Sequence, residues 1–137
     1  MDECPLCYDQ IEESRLVYST PNVYSMIPIS PLTSGHAMVL PKSHKKFEEL
    51  SFEEFSEMRG LLAILKNRLV SLYPDKHPII VTLTDTDHSS IKDHFHYHIT
   101  PSRGNLRQLM AKFDENVKED ERLDPSKLEE MAASLRY

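Results

Sequence analysis

The chain has no tryptophan, only three glycines and only two cysteines among 137 residues. No apolar run is long enough to cross a bilayer, and the first residues lack the basic and apolar regions of a secretory signal. We therefore expect a cytosolic protein with no membrane association. The net charge of −6 also disfavours a general nucleic-acid-binding role, because such proteins are normally basic. The length and the 39 % hydrophobic content suit a globular protein.

The two cysteines, Cys4 and Cys7, form a C-x-x-C pair with three possible roles. A redox pair normally opens a helix after a strand, and nothing strand-like precedes Cys4. A structural disulfide is disfavoured in a reducing cytosol. Half of a metal site is the third role, and it requires two further ligands, which a chain with seven histidines can supply.

The order of apolar and turn-forming residues predicts an α+β fold. Residues 15–20 and 23–27 flank a turn and predict a hairpin, and residues 36–40 predict a third strand that Pro41 ends. Ser51 and Glu54 fit a capping box that opens one long helix, which Pro74 ends. The apolar stripe predicted for this helix is Phe55, Met58, Leu62, Leu65, Leu69 and Leu72.

Two further strands are predicted, over residues 78–84 and 94–101. Together these elements indicate an antiparallel sheet with one long helix packed across it, and a short C-terminal helix over residues 126–135. We expect residues 1–110 to form the main domain. Residues 111–137 are expected to form a charged C-terminal extension that contains the short helix.

Three histidines stand at every second position, His94, His96 and His98. Strand alternation places these imidazoles on one face and turns Phe95 and Tyr97 toward a core. Three explanations are open: a histidine-rich strand, a three-histidine zinc site, or phosphate chemistry. Next-but-one strand residues lie about 6–7 Å apart, which is awkward for three ligands of one ion. A neutral imidazole is a good nucleophile, and protonated neighbours stabilise oxyanions.

The segment His94-Phe95-His96-Tyr97-His98-Ile99-Thr100 resembles the signature of the histidine-triad family, apart from its polar final residue. Cys4-Pro5-Leu6-Cys7 and residues 30–44 resemble two further blocks of the zinc-binding members of that family. The three blocks occur in the family's order over roughly three-quarters of the chain. The resemblance implies the histidine-triad α+β fold and a homodimer that pairs through the long helix and a sheet edge.

The resemblance also implies roles for single residues. His96 would be the nucleophile that attacks the α-phosphorus of a nucleoside phosphoryl substrate and forms a nucleotidyl-histidine, and His98 would contact the phosphoryl oxygens. Cys4, Cys7, His44 and His94 would form a closed, structural zinc site. The expected substrate-binding residues are Leu6, Met26 and Ile29 at the base, Ser89 and Ser90 in the loop before the triad, and His98.

The expected function is therefore a nucleotide phosphohydrolase or phosphoramidase with a structural zinc ion. The alternative is a non-enzymatic nucleotide-binding or zinc-stabilised interaction protein of the same fold. The altered loop before the triad favours that alternative, because residues 83–93 contain no glycine. Pro28 stands where the family's ribose-binding acid is expected, which disfavours ribose recognition. A catalytic zinc is disfavoured because four protein ligands leave no open coordination position. His36 is expected to be a structural hydrogen-bonding residue.

Overall fold

The computed structural model describes residues 4–82, 93–112 and 124–136. The chain divides into two compact units, Met1–Arg103 and Gly104–Tyr137. Among the described residues, the first unit holds a sheet and one long helix, and the second holds two shorter helices. The assignment of residues 1–110 to one domain stays a prediction. No helix within the described ranges is long and apolar enough to cross a membrane.

The described part of the first unit contains one antiparallel sheet of five strands in the order β1-β2-β3-β5-β4. The strands are β1 (Leu16–Ser19), β2 (Val23–Met26), β3 (Ala37–Pro41), β4 (His77–Val81) and β5 (Tyr97–Ser102). Helix α1 (Phe52–Leu72) packs against four of them. The α+β prediction of an antiparallel sheet crossed by one long helix is thereby confirmed.

The sheet has two apolar faces, and only one of them is covered by α1. On the α1 side, Val23, Val39 and Ile99 pack with Met58 and the leucines of the helix. Each fully buried aliphatic side chain of this kind contributes about 1.5–3 kcal/mol. On the opposite face, Tyr24, Met26, Met38 and Leu40 pack with Leu6 from the N-terminal segment. The residues of the C-x-x-C pair are thus brought onto the face of the sheet that α1 leaves open.

The start of α1 follows the predicted capping box. The Ser51 hydroxyl accepts a hydrogen bond from the Glu54 N–H at 3.1 Å, and the Glu54 carboxylate accepts one from the Ser51 N–H at 2.8 Å. The predicted apolar stripe needs one correction at its end. Leu72 is 55 % exposed, because Tyr73 at the C-cap packs on the core instead, and Leu61 joins the buried residues.

The histidine strand is shorter than predicted, since β5 begins at Tyr97 and not at His94. The Phe95 N–H donates to the Lys45 carbonyl at 2.7 Å, and the His94 carbonyl bonds the ring of His96. These backbone groups therefore have partners outside the sheet ladder. The alternation of side chains is nevertheless as predicted, because Phe95 and Tyr97 lie in the cluster beneath α1.

Two other strand boundaries also differ from the predictions. The third strand was predicted to end before Pro41, but Pro41 is the last residue of β3. Strand β4 ends at Val81, whereas the predicted strand continued to residue 84. The second unit contains α2 (Leu106–Ala111), which was not predicted, and α3 (Pro125–Leu135), which was. Asn105 and Gln108 form a capping box at α2, a polar signal that a search for long apolar stripes overlooks.

The loop between β2 and β3 is held close to β5. Gly35 has φ +92°, and a Cβ there would lie 2.8 Å from the Tyr73 ring and 2.9 Å from the Pro101 ring. The Thr33 hydroxyl bonds the Thr100 hydroxyl at 2.8 Å, which gives the polar last residue of the triad segment a structural partner. His36 follows this tight turn and is thereby placed next to the histidines of β5.

Candidate active site and metal centre

Four side chains from three parts of the chain form a cluster of metal-ligating atoms. Cys4, Cys7, His44 and His94 each offer one ligand atom, and these atoms lie within 4.8 Å of one another. The Cys4 Sγ lies 3.3 Å from the Nδ1 of His94, and the Cys7 Sγ lies 3.9 Å from the Nδ1 of both His44 and His94. The four residues predicted as ligands are therefore close enough to hold a metal ion.

The N-terminal half of this cluster is fixed by the sheet beneath it. The Tyr24 hydroxyl donates to the Leu6 carbonyl in the middle of the C-x-x-C turn, and burial raises the pKa of this tyrosine. The Cys7 N–H donates to the Cys4 carbonyl at 3.2 Å, and the Leu6 N–H approaches the Cys4 sulfur at 3.4 Å. A compact turn thus presents both thiols on one side.

His94 is oriented toward the cysteines by a backbone carbonyl. Its Nε2 lies 2.8 Å from the Pro41 carbonyl oxygen, which can only accept, so Nε2 carries the proton and Nδ1 has the lone pair. The side chain is 2 % exposed, and burial, together with the neighbouring His44 and His96, lowers the pKa of His94 to about 4. A neutral imidazole with a carbonyl on its outer nitrogen is the usual form of a metal ligand.

His96 is held in the opposite tautomer. Its Nδ1 lies 2.9 Å from the carbonyl oxygen of His94, so Nδ1 carries the proton and Nε2 keeps the lone pair. His94, which supplies this carbonyl, is itself one of the four residues of the metal-ligating cluster. The Thr82 hydroxyl donates to the backbone carbonyl of His96 at 2.6 Å. His96 is 5 % exposed and lies in the wall of a cavity. In the neutral ring, Nε2 therefore carries the lone pair and can act as a nucleophile.

His36 and His98 form a hydrogen-bonded pair that fixes both rings. The Leu32 N–H donates to the His36 Nδ1 at 3.0 Å, so the proton of His36 is on Nε2. That Nε2–H donates to the His98 Nδ1 at 2.9 Å, which leaves His98 with an Nε2–H donor. Burial lowers the pKa of His98 to about 4, with His96 and His36 adding to the effect, and burial also lowers the pKa of His36.

A cavity of about 490 Å³ lies beside these histidines on the face opposite α1. Of the predicted substrate-binding residues, Leu6, Met26, Ile29 and His98 line it, together with the predicted nucleophile His96. Ile29 is 81 % exposed and so lies at the rim, whereas Met26 is 1 % exposed and lies in the floor. The predicted contacts Ser89 and Ser90 lie outside the described residues.

Some residues of the cavity wall were not predicted. They are Pro5, Arg15, Pro28, Ser30, Leu32, His36 and Met38. Side chains alternate along β3, so Met38 shares a face with His36 and Leu40. The position of Met38 on the cavity side could therefore have been predicted from the sequence. Arg15 precedes β1, and its place in the wall depends on strand pairing that a local pattern does not contain. The sequence-based expectation that His36 bonds structurally agrees with its bond to His98.

The fold is that of the histidine-triad superfamily. A solved structure described as a member of the HIT family of proteins from Bacillus subtilis matches with a TM-score of 0.71 at 20 % identity, over 98 % of this chain and 96 % of that one. The chain belongs to the family described as "Protein similar to CwfJ C-terminal", whose model matches residues 1–114.

Two curated relatives are described as adenosine 5′-monophosphoramidases. The one from Schizosaccharomyces pombe is 31 % identical over 78 residues, which are 56 % of this chain and 56 % of the relative. The one from Saccharomyces cerevisiae is 25 % identical over 109 residues, which are 79 % of this chain and 66 % of the relative. The matched part thus spans between about half and two-thirds of the relatives' length.

Proposed function

We propose that the chain is a nucleotide phosphoramidase or phosphohydrolase that acts through a nucleotidyl-histidine on the α-phosphate of its substrate. The observation that carries the proposal is the bond from the His96 Nδ1 to the His94 carbonyl, which puts the lone pair of the neutral ring on Nε2, in a cavity wall that His98 shares. The names of the two curated relatives support a substrate of the adenosine 5′-phosphoramidate class.

The chemistry proceeds in two displacements. The His96 Nε2 attacks the α-phosphorus, a nitrogen–phosphorus bond forms, and the bond from phosphorus to the leaving group breaks as the leaving group takes up a proton from solvent. Water then attacks the same phosphorus and releases a proton to solvent, the bond to His96 breaks, and the nucleoside monophosphate leaves with one oxygen from water. The His98 Nε2–H donates to a phosphoryl oxygen and stabilises the charge that grows there in both steps. The His36 side chain keeps that donor on Nε2.

The apolar part of the cavity suits a nucleobase. Leu6 and Met26 are buried in its floor, and Ile29 stands exposed at its rim, so a flat ring can be sandwiched between them. Ser89 and Ser90 remain proposed phosphate contacts. Residues 83–93 contain no glycine, so a hydroxyl would have to supply the donor that backbone N–H groups provide in a glycine-rich loop.

The metal site is proposed to hold zinc in a structural role. Tetrahedral zinc with bonds of about 2.3 Å to sulfur and about 2.0 Å to nitrogen requires sulfur–nitrogen separations of about 3.5 Å. The three observed separations of 3.3, 3.9 and 3.9 Å fit this requirement. A bound zinc ion would hold together the N-terminal turn, the loop that carries His44, and His94. Such a dithiolate site suits a reducing compartment such as the cytosol.

A homodimer is proposed through helix α1 and the edge of the sheet that β4 forms. Strand β4 is at the edge of the described sheet, and Ile80 and Val81 are 45 % and 40 % exposed. A groove of about 530 Å³ runs between β4 and α1 and is lined by Phe55, Arg59, Leu62, Ala63, Lys66, Ile80 and Tyr97. A second copy would cover these apolar groups and extend the sheet. A molar mass of one chain in solution would contradict this part of the proposal.

The test of the activity is the release of AMP from adenosine 5′-phosphoramidate. We expect turnover by the wild-type protein and a loss of about 10³-fold or more in His96→Gln, because the nucleophile is removed. The matched control is His77→Gln, which removes an exposed histidine from β4. A wild-type protein that binds AMP but releases none from phosphoramidates or dinucleoside polyphosphates would overturn the enzyme proposal and favour the non-enzymatic nucleotide-binding alternative.

A further inference from the structure

Arg15 is a permanent cation in the wall of the cavity, on the side away from the triad. The other polar side chains of the wall are Ser30, His36, His96 and His98. None of the residues that line the cavity in the described part of the chain is an aspartate or a glutamate. The polar groups that these described residues contribute to the cavity are therefore hydrogen-bond donors and one permanent positive charge.

The guanidinium of Arg15 is anchored and still has donors to offer. Its Nε donates to the Ile27 carbonyl at 3.0 Å, and its own carbonyl accepts from the Ile27 N–H at 2.9 Å. Within residues 4–82, 93–112 and 124–136, no carboxylate forms an ion pair with this arginine. One of five N–H donors is thus used for anchoring, and no hydrogen bond to a described residue occupies the terminal N–H groups of this half-buried side chain.

The strand register separates Arg15 from the triad. His98 pairs with Met38, Met38 pairs with Met26, and Met26 pairs with Leu16, the residue after Arg15. Three strand spacings amount to about 14 Å between the backbones. Arg15 and the histidines therefore line the cavity on opposite sides of Met26 and Met38. A ligand that occupies both positions has to extend across the cavity floor formed by the two methionines.

We propose that Arg15 forms a second anion subsite, so that the preferred ligand is a nucleotide carrying a second phosphate on its ribose. This inference rests on the proposed function, which seats the first phosphate at His96 and His98. The planar guanidinium fork matches a phosphate in a two-point hydrogen bond. Pro28 in the same wall has no side-chain acceptor for ribose hydroxyls, so a free hydroxyl at this end of the cavity gains no hydrogen bond from it. A phosphate at this end would instead form an ion pair with Arg15.

The test compares ligands that differ by one phosphate. Calorimetry on the full chain would measure the affinities of AMP, adenosine 3′,5′-bisphosphate and adenosine 2′,5′-bisphosphate. We expect at least one bisphosphate to bind about tenfold or more tightly than AMP, with a steeper loss of affinity on adding salt. In Arg15→Gln this preference should fall to less than about threefold. Arg15→Lys keeps the charge without the fork and should give an intermediate preference.

The matched control is Arg68→Gln, which removes the same charge from an exposed position of α1 and should keep the wild-type preference. AMP and bisphosphates that bind equally well to the wild-type protein would overturn the second subsite and leave the proposed function standing. A preference that survives in Arg15→Gln would likewise overturn the role of Arg15. Absence of binding by all three ligands would count against the proposed function as well. If Arg15→Gln fails to fold, the wild-type comparison and Arg15→Lys still decide the question.

Discussion

The Nε2–H of His36 donates to the Nδ1 of His98 over 2.9 Å. This bond crosses from the residue before β3 to β5 and links residues 62 positions apart in the chain. Because the Leu32 N–H occupies the other nitrogen of His36, the direction of the bond is fixed. His98 therefore presents an N–H to the cavity, and His36 acts as the residue that positions this donor.

Replacing His36 should weaken catalysis through the tautomer of His98. One lost hydrogen bond of about 1.4 kcal/mol corresponds to about a tenfold lower kcat for His36→Phe. His36→Gln retains an N–H donor and should recover part of the loss. Nitrogen-15 spectra of the imidazoles provide the readout specific to positioning: His98 should be an Nε2–H tautomer in the wild type and a mixture in His36→Phe. An unaltered His98 spectrum would contradict this role.

The two glycines near α1 should respond in opposite directions to alanine. Gly35→Ala places a methyl group at φ +92° and within 2.8–3.0 Å of Tyr73, Pro101 and Leu69, so we expect a loss of about 2–4 kcal/mol in unfolding free energy. Gly60 lies within α1, and a Cβ there would meet no described heavy atom within 4 Å beyond its chain neighbours and the backbone of its own helix. Gly60→Ala should therefore stabilise by about 0.5–1 kcal/mol. Urea unfolding checks both, and equal effects would contradict the assigned turn.

Acid should destabilise the fold partly through His98. Burial lowers the pKa of His98 from 6.5 to about 4, so the unfolded chain takes up this proton at a higher pH than the folded chain does. The stability that is present above pH 6.5 is then lost as the pH falls from 6.5 to about 4. His98→Asn keeps an acceptor for His36 and does not titrate.

The unfolding free energy of His98→Asn should accordingly fall less steeply in this pH window than that of the wild type. The metal cluster is the same in both proteins, so its own acid sensitivity cancels in the comparison. Identical slopes between pH 6.5 and pH 4 would show that the His98 imidazole is not held neutral by burial.

The cluster of Cys4, Cys7, His44 and His94 should bind about one zinc ion per chain. Cys4→Ser and His44→Asn should each lose the metal and lower the unfolding temperature, because one of four ligands is gone. His77→Asn, at an exposed position of β4, should keep the metal. Elemental analysis of freshly purified protein checks the stoichiometry. Equal metal contents in Cys4→Ser and the wild type would place the metal elsewhere.

Local patterns in the sequence predicted the parts of the fold that depend on local chemistry. Ser51 and Glu54 identified the start of α1, and period-two alternation correctly separated Phe95 and Tyr97 from the histidines. The later start of β5 was missed because the Lys45 carbonyl, which captures the Phe95 N–H, lies 50 positions away in the chain. Arg15 was missed for the same reason, since only the pairing of β1 with β2 brings it to the cavity.

The most direct measurement is the identification of the group that carries the nucleotide during turnover. The protein is mixed with adenosine 5′-phosphoramidate, quenched within one turnover, digested and analysed by mass spectrometry. We expect one adenylyl group on the peptide that contains His96, absent from His96→Gln and present in His77→Gln. Release of AMP without any adduct, at a rate that His96→Gln does not change, would contradict the assignment of His96 as the nucleophile.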